Sequence, residues 1–194
     1  MAKLTRQDLF SLEKYAEIRA DFRARVIAHK KNRRVPLGDH AALYFEDALT
    51  MQYQIQEMLR IEKIFEAAGI QDELDVYNPL IPDGRNWKAT FMVEYADEDE
   101  RRAALARLVG IEKDIWMRVE GFDPVFPIAN EDLERSTEDK TASVHFMRFE
   151  LTPEMVAAVK NGGEISAGVS HRNYQATLSP LPRAIRDSLA ADLA

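Results

Sequence analysis

The chain contains no cysteine, which excludes disulfides, thiolate metal sites, cysteine-ligated iron–sulfur clusters and a cysteine nucleophile. Histidine is scarce, with four in 194 residues. His29, His40, His145 and His171 form neither a His-Glu-x-x-His nor a Glu-x-x-His pattern, so the sequence supports neither a zincin helix nor a ferritin-like di-iron bundle. No window approaches the roughly 20 apolar residues that cross a bilayer. The opening residues through Leu9 hold no apolar run of the signal-peptide kind. A glycine-rich phosphate loop, a Gly-x-Ser-x-Gly elbow and a dinucleotide fingerprint are missing as well. These absences lead us to expect a cytoplasmic protein that does not associate with membranes, and they name no reaction and no cofactor.

What is present is ordinary for a globular chain: 46% hydrophobic and 30% charged residues. The length suits one domain, read as an N-terminal helical region with a small hairpin (1–69) and an α+β core with a C-terminal helix (70–194). The net charge of −7 is unevenly spread. Residues 1–34 carry ten Lys/Arg against four Asp/Glu, a net of +6, which leaves −13 on the other 160. The cations concentrate in Arg23, Arg25, Lys30, Lys31, Arg33 and Arg34. Such a basic arm could meet nucleic acid, but no aromatic residue interleaves with the cluster, as stacking on bases requires. The preferred reading places these cations at a helix C-terminus, complementing its dipole, or against the acidic body.

Local patterns then set the element order. Tyr15, Ile18, Phe22 and Val26 make one face of a helix, and 35–45 reads as two short strands around a turn. A long helix is expected over 47–68, closed by Gly69, with an amide-rich first half (Gln52, Gln54, Gln56, Glu57). Trp87, Ala89, Phe91, Val93 and Tyr95 alternate with polar neighbours as a strand. Asp97 caps a helix that Gly110 ends, and 115–119 is a second strand. Prolines make 125–129 an edge strand, a charged connection covers 131–140, and 143–151 is the next strand. Thr152-Pro153-Glu154 opens a helix, 164–171 is the last clear strand, and Leu181, Ile185, Leu189 and Leu193 close the chain at helical spacing. In order, 85–171 is strand, helix, strand, edge hairpin, strand, helix, strand. That is the order of a ferredoxin-like split βαβ unit with an antiparallel sheet. Its second face would hold Thr90, Met92, Trp116, Val144 and Phe146, and the 47–68 helix or a second subunit is expected to cover it.

Three groups of residues could carry function. Asn78, Asp83, Asn86, Trp87 and Lys88 belong to a loop rich in proline, glycine and polar side chains that feeds straight into a strand. Turn formation and a core tryptophan explain most of that composition. Lys88 should nevertheless lie near Arg148 on one sheet face, where two cations could hold a small anion. Glu57 and Arg60 are neighbours on the long helix, read either as a surface ion pair or as an orienting pair at a pocket rim. His145 and His171 fall on two strands of the expected sheet and could join a carboxylate in a metal site, although packed, hydrogen-bonded histidines are the simpler reading.

Four stretches carry a family resemblance: Leu4–Leu9, the Glu46–Arg60 helix, Tyr77–Thr90 with its Asn-Pro-Leu-Ile-Pro-Asp-Gly-Arg-Asn-Trp-Lys core, and Ser143–Glu150. Together they make the chain similar to the bacterial domain-of-unknown-function family 3501. The resemblance spans nearly the whole chain. It implies a bacterial cytoplasmic protein with no assigned activity and no catalytic residue to carry over. It also implies genes set near rubrerythrin-like and iron–sulfur proteins, hence a role beside a redox partner. The resulting expectation is a non-catalytic accessory or small-ligand-binding protein, homo-oligomeric, linked to redox or oxidative stress. A metal-binding protein using His145 and His171, and nucleic-acid binding through the basic helix, are the alternatives.

Overall fold

The computed structural model describes residues 3–131, 135, 137 and 139–194. Part of the charged connection expected over 131–140 therefore lies outside the described residues. The elements are α1 (Leu12–Lys30), β1 (Arg34–Pro36), β2 (Ala41–Phe45), α2 (Ala48–Glu62), α3 (Ala67–Tyr77), β3 (Asn86–Val93), α4 (Glu98–Arg107), β4 (Ile115–Val119), β5 (Ile128–Ala129), β6 (Val144–Glu150), α5 (Pro153–Lys160), β7 (Ile165–His171), β8 (Tyr174–Leu178) and α6 (Arg183–Ala190). This is an α+β fold with antiparallel sheets. Among the described residues, no helix is long and apolar enough to cross a membrane.

The strands form two sheets rather than the single four-stranded ferredoxin-like sheet expected. One runs β1-β2-β3-β6-β5 and the other β4-β7-β8. Two local facts account for the difference. The β1–β2 hairpin supplies β3 with an edge partner in full register from Ala41↔Val93 to Phe45↔Ala89, the place the 164–171 strand was expected to fill. Meanwhile Trp116 of β4 lies opposite Gly168 of β7. A Cβ at position 168 would stand 2.3 Å from the indole, so glycine opens a flat seat for the ring and pairs β4 with β7. Trp116 consequently sits on the outer face of the smaller sheet, its Nε1 donating to Ser170 Oγ at 3.0 Å, and not beside Thr90, Met92 and Phe146.

Both sheets turn one face into a single main core. Trp87, Phe91 and Phe149 of the larger sheet pack with Ile115, Met117, Ile165 and Val169 of the smaller one, and with Leu108, Val159 and Leu189. Each such apolar side chain contributes about 1.5–3 kcal/mol when fully buried. Trp87 is fully buried, and its indole N–H donates to Leu189 O at 3.0 Å, so the C-terminal helix covers this core.

The long helix expected over 47–68 is two helices. Lys63 adopts left-handed geometry (φ 56°) and its N–H closes α2 on Leu59 O. Gly69 lies inside α3 instead of ending a helix, and its missing Cβ makes room for Ile64 Cγ2, 2.7 Å from where that atom would be. Nor do these helices spread over the open sheet face. Leu49 and Tyr53 of α2 join Tyr15, Phe22 and Val26 of α1 in one small cluster. Ile55 and Leu59 join Leu74 of α3 and Leu4, Leu9 and Leu12 in another.

Candidate functional site

Lys88 and Arg148 are cross-strand partners on the outer face of the larger sheet, as the strand alternation predicted. Both are already engaged within the chain. Arg148 makes a two-pronged pair with Glu131 at 2.8 and 2.6 Å and also donates to Glu150. Lys88 Nζ caps Pro79 O at 2.7 Å; burial, then the nearby Arg148, lowers its pKa. The Arg148 hydrogen bonds hold Glu131 below the usual carboxylate range. An anionic ligand here would have to displace a carboxylate. Asn86 completes the cluster by donating to Glu150 Oε1 at 2.9 Å and accepting from Asp83 N–H, while Asp83 closes its own turn on Arg85 N–H.

Two groups expected to face a ligand bind the chain itself. Asn78 accepts from Leu4 N–H and donates to Leu4 O. Glu57 receives Arg19 on both oxygens at 2.7 and 2.8 Å and the Tyr15 hydroxyl at 2.7 Å, with Arg60 at 3.2 Å as its most distant partner. These donors, Arg19 foremost, hold the Glu57 pKa down at about 2. Glu57 therefore joins α2 to α1, and the Arg60 contact alone misses its role.

His145 and His171 belong to different sheets, not to one as expected. His145 is fully buried. Its Nε2 donates to Ala142 O at 3.0 Å beside Thr141 Oγ1, and its Nδ1 meets the Asn130 amide at 3.1 Å. Burial lowers its pKa and favours the neutral ring. His171 donates from Nε2 to Val109 O and accepts from Asn173 N–H at Nδ1, both at 3.2 Å. Every ring nitrogen is engaged, and among the described residues no group of three or more His, Asp or Glu is placed to hold a metal ion.

Sequence reasoning missed the most heavily buried ionic cluster among the described residues. Arg33, read as part of a basic arm, is 2% exposed. Its guanidinium donates to Phe45 O and Glu46 O and pairs with Asp192 at 2.6 Å and Asp47 at 3.4 Å. Asp47 also caps α2 through Thr50 N–H and meets His29 Nε2 at 2.5 Å. Burial opposes ionisation of both acids. Arg33, the Thr50 N–H and His29 overcome it at Asp47, whose pKa is lowered, whereas at Asp192 burial prevails and the pKa rises to about 6. Beside it on the open sheet face, Arg34 Nε donates to Tyr44, and Tyr44 donates to Glu94 at 2.5 Å. The basic cluster is thus divided: Arg33 and Arg34 are used internally, while Arg23, Arg25, Lys30 and Lys31 remain exposed. The only sequence signal for the Arg33 cluster was the Asp47 capping position, because Asp192 lies 159 residues from Arg33.

The outer face of the larger sheet keeps an apolar strip. Met92, Val144 and Phe146 are half-buried, with the Arg135 guanidinium 4.7 Å over the Phe146 ring. At the sheet edge, Phe126 and Ile128 are 55% and 44% exposed. The polar groups of the Lys88–Arg148 cluster and the Arg34–Tyr44–Glu94 trio border this strip.

A family model described as "Protein of unknown function (DUF3501)" matches residues 3–193. The chain belongs to that family. A crystal structure of a novel protein of unknown function from Burkholderia pseudomallei K96243 is 53% identical, covers 100% of both chains and superposes with a TM-score of 0.94. No curated protein matches the chain. The family membership agrees with the four stretches that carried the resemblance, and it brings no reaction and no ligand with it.

Proposed function

We propose that this DUF3501 protein is a non-catalytic accessory protein that binds a second protein through the outer face of its larger sheet. Exposed Ile128, opposite Arg148 at the sheet edge, and exposed Phe126 two residues before it, together with half-buried Phe146, Val144 and Met92 of the sheet, carry this reading. An apolar strip rimmed by polar groups is the usual composition of a protein contact surface. The Arg148–Glu131–Glu150 and Arg34–Tyr44–Glu94 groups on its border would give the contact its orientation. A redox protein is the partner class to test first, a choice that rests on the gene neighbourhoods implied by the family resemblance. The test is affinity capture from the native host with the parent chain, with Phe126→Asp/Ile128→Asp, and with Arg183→Asp, at the exposed start of α6, as a control. A partner held by the parent and by Arg183→Asp but lost with the double variant supports the reading. Identical capture by all three contradicts it.

A further inference from the structure

Residues 4–10 cross the α2–α3 pair, and three amide side chains receive their backbone. Asn78 accepts from Leu4 N–H at 2.8 Å and donates to Leu4 O at 2.9 Å. Gln56, which is completely buried, accepts from Phe10 N–H at 2.6 Å and donates to Phe10 O at 3.3 Å. Gln52 donates to Asp8 O at 2.6 Å. A primary amide carries one acceptor and one donor group side by side. Offered to the N–H and C=O of a single residue, it copies the exchange between two strands. Recognition of this kind reads the backbone and ignores side chains, as in peptide sites that add a strand to a sheet. Register comes from Leu4 and Leu9, which pack against Ile55, Leu59 and Leu74.

The segment is held with little burial. Leu4, Leu9 and Phe10 are half-buried, and residues 5–8 are exposed. A cavity of about 350 Å³ stays open where Arg6, Leu9 and Leu12 meet Leu59, Ile64 and Ile70. Phe65, which also lines it, is 73% exposed.

We propose that this groove is a binding site for an extended peptide segment, and that it accepts residues 4–10 of a second copy of this chain in place of its own. The exchange keeps all five amide–backbone hydrogen bonds and both leucine contacts, and it changes the path only between Phe10 and Ser11, where α1 begins. Swapping an identical element is the route to a dimer that needs no new complementary surface. This dimer is independent of the sheet-face contact proposed above.

The absence of cysteine makes the test direct. Arg6→Cys and Phe65→Cys each place one thiol on the rim of the same cavity. The two single variants are mixed at high concentration, incubated and treated with a short bismaleimide. The prediction is a product joining position 6 of one copy to position 65 of the other. Its yield should be roughly ten-fold above that from Arg6→Cys mixed with Arg183→Cys, because exchange raises the local concentration of one thiol at the other. Gln56→Ala or Asn78→Ala in the position-65 copy should each lower that yield, in variants whose circular dichroism matches the parent. The double variant Arg6→Cys/Phe65→Cys on one chain reports that arm and groove have formed. If it cross-links within single chains while the mixture stays at the control level, the exchange is overturned. Full yield from the mixture with both amide variants overturns the groove as its site.

Discussion

The two halves of the molecule are held together by different physics. In the two-sheet body, buried apolar side chains from both sheets and from α4, α5 and α6 form one continuous core. In the N-terminal half, two small clusters of three buried residues each are supplemented by directed polar contacts. Glu57 ties α1 to α2, Gln56 and Asn78 tie the opening segment to the helices, and Arg33 ties the end of α1 and the start of α2 to the C-terminal segment. Small clusters cannot supply the stabilisation of a large core, so the N-terminal half depends on groups whose removal strands a partner. The comparison predicts that core truncations act globally, whereas polar substitutions act on the helical half and depend on pH.

The largest effect should come from the body. Trp87→Ala removes the largest fully buried side chain and its bond to Leu189 O, so chemical denaturation should report a loss of about 3–5 kcal/mol. Arg33→Met sharpens the contrast, since it leaves Asp47 and Asp192 buried without their cation. A loss of about 3–5 kcal/mol is expected, and hydrogen exchange should rise at α6 and at the start of α2. A loss below 1 kcal/mol would mean that Arg33 is not the joint between the halves. Glu57→Gln is smaller. It keeps the shape but weakens the bonds from Arg19 and Tyr15, for an expected loss of about 1–2 kcal/mol confined to α1 and α2.

Acidity separates two of these joints by sign. Glu57 has a folded pKa of about 2 against an ordinary 4.5. Its contribution is present above pH 4.5 and is lost as pH falls through 2. Asp192 runs the other way. Its folded pKa of about 6 lies above the ordinary 3.8, so its protonated form favours the fold below pH 3.8 and that contribution disappears as pH rises through 6. Comparing the pH dependence of denaturation midpoints for the parent, Glu57→Gln and Asp192→Asn should show the two variants flattening opposite ends of the acid range. Parallel curves for all three chains would break the comparison.

How much of this was legible in the sequence follows the range of each interaction. Caps and alternation are local, so the Asp97 and Thr152 helix starts, the β3 pattern and the Leu181–Leu193 spacing each correspond to an element or a buried stripe. Strand partnership is not local. The same order of elements fits one sheet or two, and the choice turned on Trp116 facing Gly168 and on a hairpin that lies before the expected unit. The site residues divide in the same way. Lys88 opposite Arg148 followed from strand alternation, whereas the carboxylate pairing of Arg148 through Glu131 depends on a loop. Glu57 and Arg60 were visible as helix neighbours, but the stronger partners, Arg19 and Tyr15, lie 38 and 42 residues away. The amide-rich start of α2 stood out by composition, and its partner could not, because Gln56 and Asn78 bind backbone groups that every residue carries.

The most direct test of the contrast between the halves is hydrogen exchange with mass spectrometry on the parent and Glu57→Gln at pH 7. The account predicts faster exchange in α1 and α2 of the variant, with β3, β6 and β7 unchanged. An equal rise across the helices and both sheets would contradict it, because the chain would then open as one unit in which the polar contacts and the apolar core are not separable.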